Sequence, residues 1–365
     1  MYTRKHSSAM ASLSKPKKLL YFGPSGIGDW CFIYPSLVNL VRAYRLTEVT
    51  IVLPRKNPGN SLLIENDIIQ KVIYLKRETK WPYIPLYGIR WLYKCLQIIK
   101  EKGDIVAISY LSNQPDFLLL ALLTGAQIRI GRYMNNSLLE RMAITRPIYA
   151  KGDEGRVAIH NFYVPKEPLG EISHEIPPLF PSNLLKNASQ IVSSFGLTPR
   201  KYIVLGIGGG RAASWRFWPA EHYKRIIELL PSYKFILMGG GPDDQNQAAL
   251  INPLPVNAIN LVNKTNMKEA INIISQAAAV IGNDSGIANI SATLGIPTVC
   301  IYGPTSPKLT GPALLGAYAL APESCLCSPC FLDNQDATKA QSCRNRKCLK
   351  SIVPEQPIEI LKDCL

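Results

Sequence analysis

A carboxylate stands in a glycine-rich loop directly after the first apolar run of this sequence. The loop reads Gly-Pro-Ser-Gly-Ile-Gly-Asp over residues 23–29, and a helical pattern follows it. A carboxylate at the carboxyl end of a strand is well placed to take a proton from a substrate hydroxyl as a general base. Aspartate is also a common helix cap. Asp29 therefore has two interpretations, a catalytic base and a helix-capping residue.

A second glycine-rich loop, over residues 206–211, brings arginines close to backbone N–H groups. Arg211 ends the loop and Arg216 lies a few residues beyond it. Guanidinium groups beside backbone donors suit a diphosphate. A dinucleotide-binding fingerprint needs a glycine at the sixth position of G-x-G-x-x-G, and Arg211 occupies that position. The pattern favours a diphosphate ligand and disfavours a nicotinamide-dependent dehydrogenase.

Two further loops supply acidic and hydroxyl groups. Asp243 and Asp244 end a Gly-Gly-Gly-Pro turn after an apolar run. An acidic residue in such a turn either holds ribose hydroxyls or caps the next helix. Asp284, Ser285 and Gly286 stand between an apolar run and a helical pattern. The first N–H groups of that helix are therefore available to a phosphate.

The loops lie within a strand–helix alternation that occurs twice along the chain. Apolar runs alternate with helical stretches as far as about residue 130, five prolines follow between residues 165 and 181, and the alternation then restarts. This order is typical of doubly wound parallel sheets. We predict an α/β fold with two Rossmann-like domains, residues 19–180 and 181–350, facing a central cleft. Residues 1–18 are predicted to be a flexible basic leader, and residues 351–365 a C-terminal helix or tail.

Several sequence stretches occur in an order that is typical of one enzyme family. Residues 283–297 run from Asn-Asp-Ser-Gly to Gly-Ile-Pro, and Tyr-Gly-Pro-Thr-Ser-Pro follows at 302–307. Gly-Ile-Gly-Asp at 26–29, Arg-Phe-Trp-Pro at 216–219 and the turn at 239–244 complete the series. These motifs resemble those of glycosyltransferase family 9, the ADP-heptose:lipopolysaccharide heptosyltransferases and their relatives. The resemblance implies the GT-B fold, with the N-terminal domain binding the acceptor and the C-terminal domain binding the nucleotide sugar.

The resemblance also implies a role for each site residue. Asp29 corresponds to the family's proposed catalytic base, which deprotonates the acceptor hydroxyl for in-line displacement at the anomeric carbon. Arg216 stands where the family usually has a phosphate-binding Lys, and Asn289 stands where it commonly has a His that contacts the donor. The expected donor-binding residues are Gly28, Arg211, Arg216, Asp243, Asp244, Asp284, Ser285, Gly286 and Asn289.

The function that the resemblance implies is inverting sugar transfer. The donor would be a nucleotide-diphosphate sugar, foremost ADP-heptose, and the acceptor a lipid-linked lipopolysaccharide core or a related surface glycan. This chemistry requires no cofactor and no catalytic metal. Two alternatives stay open: a catalytically silent protein that binds nucleotide sugars, and a nucleotide-sugar epimerase of the same fold.

A group of cysteines near the C-terminus has spacing that a tetrahedral zinc ion could use. The residues are Cys327, Cys330, Cys343 and Cys348, with Cys325 in addition. Zinc held there would be structural. The alternative is a set of unliganded thiols in an irregular segment.

The composition is that of a globular protein. Of the 365 residues, 47% are hydrophobic and 18% are charged, which permits a sizeable core and excludes a disordered or coiled-coil chain. No run reaches about 18 uninterrupted apolar residues, so no spanning helix is predicted. The first apolar run is too short for a signal peptide. We therefore expect a cytoplasmic protein.

The net charge of +15 is concentrated in the first 180 residues, which carry 24 basic and 14 acidic side chains. A basic surface suits nucleic acid, phosphorylated ligands or an anionic membrane. Because no nucleic-acid-binding motif accompanies the charge, we expect no nucleic-acid partner.

Aromatic and basic residues alternate over residues 80–102. They are Lys80, Trp81, Tyr83, Tyr87, Arg90, Trp91, Tyr93, Lys94, Lys100 and Lys102. Such a stretch suits the headgroup region of an anionic membrane, here the inner face of the cytoplasmic membrane. The alternative is an ordinary helix whose buried face consists of Trp91, Leu92, Leu96 and Ile99.

Overall fold

The computed structural model describes most of the chain as alternating strands and helices. The described residues are 18–75, 84–109, 112, 114–133, 135–148, 177–209, 213–310, 317–331 and 338–365. Residues 1–17 of the predicted leader, Arg211, Lys80, Trp81 and Tyr83 lie outside them, as does the side chain of Tyr87. Lys18, assigned to the leader from the sequence, instead begins the first strand. Within the described residues, no helix is both long and apolar enough to cross a membrane.

The described residues form two compact units. The first contains residues 18–25 and 33–148, and the second contains residues 26–32 and 178–365. The glycine-rich segment 26–32 therefore belongs to the second unit, although it precedes most of the first unit in the sequence.

The first unit is a parallel six-stranded sheet with the order β3-β2-β1-β4-β5-β6. Its strands are β1 (Lys18–Phe22), β2 (Glu48–Leu53), β3 (Lys71–Tyr74), β4 (Ile105–Ile108), β5 (Ile128–Arg132) and β6 (Arg146–Ile148). The helices are α1 (Ile27–Ala43), whose first turns belong to the second unit, α2 (Ile84–Lys100), α3 (Pro115–Leu123) and α4 (Leu138–Ala143). A 3-10 helix covers Asn60–Glu65.

The second unit repeats this plan, with the order β12-β11-β10-β7-β8-β9. Its strands are β7 (Tyr202–Gly206), β8 (Lys234–Met238), β9 (Ala258–Asn260), β10 (Ala279–Asn283), β11 (Thr298–Ile301) and β12 (Ala317–Leu320). Its longer helices are α6 (Ala188–Ser194), α7 (Ala220–Leu229), α8 (Pro242–Ala249), α9 (Met267–Ser275) and α10 (Gly286–Thr293). Shorter helices are α5 (Ser182–Leu185), α11 (Pro307–Thr310), α12 (Thr338–Ser342), α13 (Lys347–Lys350) and α14 (Glu355–Leu361).

The central strands are almost entirely apolar because helices cover both faces of a doubly wound sheet. All five residues of β7 and all five of β10 are buried. The two strands pair in parallel, with Gly282 opposite Gly206. A Cβ atom on Gly282 would lie 2.9 Å from the Gly206 carbonyl oxygen, so only glycine allows this approach. The α/β prediction with two doubly wound sheets is confirmed.

The structure differs from the sequence prediction mainly at sheet edges and in short helices. Strands β6 and β12 were not predicted, because edge strands are less completely buried and carry a weaker apolar pattern. Both are at most half-buried over most of their length. Residues 182–194 form two helices, α5 and α6, and not one continuous helix, since Asn187 adopts non-helical backbone angles between them.

Candidate functional site

The second unit contains a cavity of about 280 Å³ at the carboxyl ends of its central strands. Strands β7 and β10 are neighbours at the point where the strand order reverses, which is where doubly wound sheets bind ligands. The loops after β7, β8 and β10 supply Gly208, Gly239, Gly240, Asp244, Ser285 and Gly286. Apolar walls come from Met238, Met267, Ala270, Ile274, Ile287 and Ile290. Ile27 of the first glycine-rich loop also lines the cavity, so all four glycine-rich loops contribute to it.

Asp244 connects the loops after β7 and β8. Its carboxylate is buried and accepts a hydrogen bond from the Gly240 N–H at 2.7 Å. A Cβ on Gly208 would overlap that carboxylate, and a Cβ on Gly239 would lie 2.8 Å from it. Burial raises the pKa of Asp244, while N–H donors of Gly240 and Gly209 oppose that rise.

The two aspartates of this turn are separated by the fold. Asp244 lines the cavity, whereas Asp243 is half-buried in the first turn of α8 and is not among the lining residues. The N-cap of α8 is Gly241, and no side chain caps that position. Only Asp244 is therefore placed to contact a ligand in the cavity as it stands.

Arg216 and Asp284 meet although 68 residues separate them. Nη1 of Arg216 lies 3.8 Å from Oδ2 of Asp284 and donates to its backbone carbonyl oxygen at 3.3 Å. The Trp215 ring packs against the Arg216 guanidinium, with the ring centroid 4.6 Å from Arg216 Cζ. Nε of Arg216 is buried and has no hydrogen-bond partner among the described residues. The arginine is thus held in place with one donor unsatisfied.

Two more unsatisfied polar atoms lie at the start of α10. Ser285 is its N-cap residue, and neither Ser285 Oγ nor Asn289 Oδ1 has a partner in the described part of the chain. Both residues are more than nine-tenths buried. A buried polar group without a partner costs about 1–3 kcal/mol, and the first N–H groups of a helix favour negative charge. An anionic ligand at this position would accept hydrogen bonds from the Ser285 hydroxyl and the first N–H groups of α10, and a hydroxyl on the same ligand would donate to Asn289 Oδ1.

Gly28 packs within the second unit against the same helix end. A Cβ on Gly28 would lie 2.9 Å from Cα of Gly286 and 3.4 Å from Nδ2 of Asn289. Asp29 follows in the first turn of α1 and is half-buried. Its Oδ2 atom lies over Gly26, where a Cβ would be only 2.5 Å away. Both interpretations of Asp29 remain compatible with this position.

Asn283 organises the site, although sequence reasoning assigned it no role of its own. Its amide nitrogen donates to the carbonyl oxygens of Ile207 and Gly208, at 2.8 and 3.2 Å. Its amide oxygen accepts from the Trp218 N–H at 2.9 Å and the Tyr223 hydroxyl at 3.0 Å. An amide at the end of an otherwise apolar strand was the available signal, because a fully buried Asn needs several partners.

The cysteines near the C-terminus lie close to one another. Cys325 Sγ and Cys327 Sγ are 3.5 Å apart. Burial and, to a smaller extent, the nearby Cys325 raise the pKa of the Cys348 thiol to about 11. Burial and the nearby Cys343 raise the pKa of the Cys330 thiol. Within the described residues, however, no three His, Cys, Asp or Glu side chains are arranged to hold a metal ion, and the zinc site stays a prediction.

Comparison with known proteins identifies a family. The model of "Glycosyltransferase family 9 (heptosyltransferase)" matches residues 120–340. Lipooligosaccharide heptosyltransferase 2 of Campylobacter jejuni (strain 81116) is 24% identical over 360 residues, which are 94% of this chain and 98% of the relative. The corresponding Haemophilus influenzae protein is 38% identical over 101 residues, 26% of this chain. That second match spans only 29% of the relative's length.

Solved structures show the same fold. The Escherichia coli ADP-heptose LPS heptosyltransferase II matches with a TM-score of 0.69 at 19% identity, over 95% of this chain and 98% of that one. A family 9 glycosyltransferase from Veillonella parvula matches with a TM-score of 0.74 at 21% identity, over 96% and 98%.

Proposed function

We propose a sugar-transfer function from one premise: the chain belongs to glycosyltransferase family 9, the heptosyltransferases. The second unit binds a nucleotide-diphosphate sugar, with ADP-heptose as the leading donor. The sugar passes to a lipid-linked lipopolysaccharide core or a related surface glycan at the cytoplasmic side of the membrane. The relatives named lipopolysaccharide and lipooligosaccharide heptosyltransferase support this substrate class.

The observation that carries the proposal is the group of unsatisfied polar atoms beside the cavity. Ser285 Oγ, Asn289 Oδ1 and Arg216 Nε are all buried and lack partners among the described residues. The donor diphosphate accepts hydrogen bonds from Ser285, from Arg216 and from the first N–H groups of α10. Asn289 Oδ1 instead accepts from a donor hydroxyl. The flat base packs between the apolar walls, since Met238, Met267 and Ile274 offer no competing charge.

Two side chains assist the transfer step, Asp29 as a general base and Arg216 as a cation. The acceptor oxygen attacks the anomeric carbon as the bond from that carbon to the diphosphate oxygen breaks, which inverts the anomeric configuration. Asp29 takes the proton of the acceptor hydroxyl. Arg216 stabilises the negative charge that develops on the departing nucleoside diphosphate. No metal or cofactor takes part in this proposal.

A thermal-shift series with ADP, UDP, GDP and CMP tests the donor assignment. A ligand that binds only the folded protein raises its stability by mass action, by about 2.7 kcal/mol at 100 times the Kd. We expect ADP to give the largest rise in the unfolding midpoint. An equal or larger rise with UDP or GDP would contradict the ADP assignment. Release of ADP from ADP-heptose only when acceptor is present would exclude both a silent binding protein and an epimerase.

Replacement of Arg216 tests the phosphate assignment. Arg216→Ala is expected to weaken ADP binding about 10- to 100-fold, because a hydrogen bond to a charged group contributes about 1.5–3 kcal/mol. It should also lower kcat, since the lost interaction is stronger in the transition state. Arg216→Lys should recover much of both losses. Titration calorimetry with ADP and steady-state kinetics measure the two effects.

A matched control for this variant is Arg225→Ala in α7. Arg225 is exposed and contacts Glu228 and Glu355 only at the surface, at 3.4 and 4.0 Å. Exposed ion pairs contribute little, so ADP binding should not change. Normal ADP binding by Arg216→Ala would remove Arg216 from the donor site.

A further inference from the structure

The outer face of α2, α3 and α4 carries apolar side chains in a regular pattern. Each helix presents a pair spaced four residues apart, and α2 adds one aromatic residue. They are Leu92, Tyr93 and Leu96 on α2, Leu119 and Leu123 on α3, and Leu138 and Met142 on α4. Their exposed fractions range from 44% to 74%. Side chains four apart lie on the same face of a helix, so each pair forms an apolar stripe in solvent.

The three stripes form one surface. Helix α2 contacts α3, and α3 contacts α4. The connections through these helices lead across the sheet in one direction, from β3 to β6, so right-handed crossovers put all three on the same side. Their inner sides pack into one core cluster that includes Ile98, Phe117 and Ala143. We name the outer side the α2–α4 face.

This arrangement corrects the alternative interpretation of α2, an ordinary helix with Trp91, Leu92, Leu96 and Ile99 on its buried face. Trp91 and Ile99 do pack against the core, as that interpretation expects. Leu92 and Leu96 do not, and Cys95 and Ile98 occupy the buried face instead. The helix is therefore apolar on two sides, and only one of them is covered by the first unit.

The charge around the α2–α4 face is positive. Arg90, Lys100 and Arg141 are exposed on the helices, and Lys94 is half-exposed. Among acidic residues of the same helices, Glu140 is buried in a capping box with Ser137. Asp116, at the start of α3, is half-buried. Basic side chains thus outnumber accessible acidic ones around an apolar surface.

We propose that the α2–α4 face docks onto an anionic phospholipid bilayer. The leucine and methionine stripes enter the headgroup boundary, Tyr93 lies with its hydroxyl toward water, and the basic residues contact lipid phosphates. Charge complementarity selects a membrane as the occupant. The inference is independent of the sugar-transfer proposal, because none of these residues belongs to the cavity of the second unit.

Vesicle co-sedimentation tests the docking. The full chain is mixed with vesicles of phosphatidylcholine alone or with phosphatidylglycerol added, at low and high salt. We expect binding to the anionic vesicles that weakens as salt rises. Arg90→Glu/Lys94→Glu/Lys100→Glu should reduce partitioning about 100-fold, since each basic residue near an anionic surface contributes roughly fivefold. Leu92→Ser/Tyr93→Ser/Leu96→Ser should also reduce partitioning, because it removes the apolar side chains that enter the headgroup boundary.

Two controls match these variants. Lys201→Glu/Lys264→Glu/Lys350→Glu makes the same change of net charge at exposed positions of the second unit. Leu250→Ser/Val256→Ser removes two apolar side chains there, of which Leu250 is 70% exposed and Val256 is fully exposed. Both should bind vesicles like the wild type. All variants should keep the ADP-induced rise in unfolding midpoint, which separates this test from the donor assignment.

The docking proposal is overturned if the wild type ignores anionic vesicles at low salt. It is also overturned if the second-unit controls lose as much binding as the α2–α4 variants. Capture by a protein partner without vesicle binding would assign the face to that partner instead.

Discussion

We expect Asp29→Asn to lower kcat for sugar transfer by about 10²- to 10⁴-fold and to leave ADP binding nearly unchanged, because a general base contributes that much. The amide has almost the shape of the carboxylate but cannot take the proton from the acceptor hydroxyl. The carboxylate lies in the first turn of α1, over Gly26, and that segment belongs to the unit that contains the cavity. Steady-state kinetics with ADP-heptose and acceptor, with ADP titration alongside, measure both quantities.

The two interpretations of Asp29 predict different results. If Asp29 only stabilises the start of α1, Asn retains most of that role because it also favours helix starts, and kcat stays near normal. The matched control is Glu221→Gln, which neutralises an exposed acidic residue in the first turn of α7. It should leave kcat unchanged. A near-normal kcat for Asp29→Asn would remove Asp29 from the proposed mechanism.

Asn283→Ala is expected to destabilise the second unit by about 3 kcal/mol or more. The substitution leaves three buried groups without a partner: the carbonyls of Ile207 and Gly208 and the backbone N–H of Trp218. The Tyr223 hydroxyl loses Asn283 but keeps the Gly206 carbonyl oxygen at 3.3 Å. A buried polar group that loses its partner costs about 1–3 kcal/mol. For a domain of this size, 1 kcal/mol corresponds to about 2–4 °C in the midpoint. Thermal unfolding should therefore show a fall of about 6–12 °C.

A control substitution at the surface and a measurement of ADP binding distinguish the role of Asn283 from that of a surface residue. Asn246→Ala removes an exposed asparagine on α8 and should leave the midpoint within about 1–2 °C, as surface substitutions usually change stability by less than 0.5 kcal/mol. Asn283→Ala should also weaken ADP binding, because Asn283 holds the loop that contains Gly208. An unchanged midpoint would show that the Ile207 and Gly208 carbonyls and the Trp218 N–H find other partners.

The strand and loop pattern of the sequence predicted the fold because local and tertiary preferences agree there. Fully apolar runs such as those of β7 and β10 fit only a sheet that is covered on both faces. Glycines and an acidic or hydroxyl residue after such a run mark a strand-to-helix loop. The loop residues Asp244, Ser285 and Gly286 were predicted for this reason, and the fold brings all three to one cavity.

Sequence spacing could not assign partners to polar groups that meet from distant loops. Asn283 contacts residues 60 to 76 positions away, and Asp244 and Asp243 are adjacent in sequence but differ in burial. The contact between Arg216 and Asp284 likewise depends on the neighbouring placement of β7 and β10, which is a property of strand order. Only the folded chain determines which of these atoms stay unsatisfied and available to a ligand.

The same limit applies to α2, where the sequence determined a helix but not its orientation. Apolar residues lie on two sides of this helix, so the helical periodicity leaves two faces that could pack against the sheet. In the folded chain, the side that contains Cys95 and Ile98 packs into the core. Leu92 and Leu96 are exposed to solvent. Helical periodicity sets which residues of α2 share a face. Tertiary contacts decide which face is buried, because burial depends on the neighbours that the fold supplies.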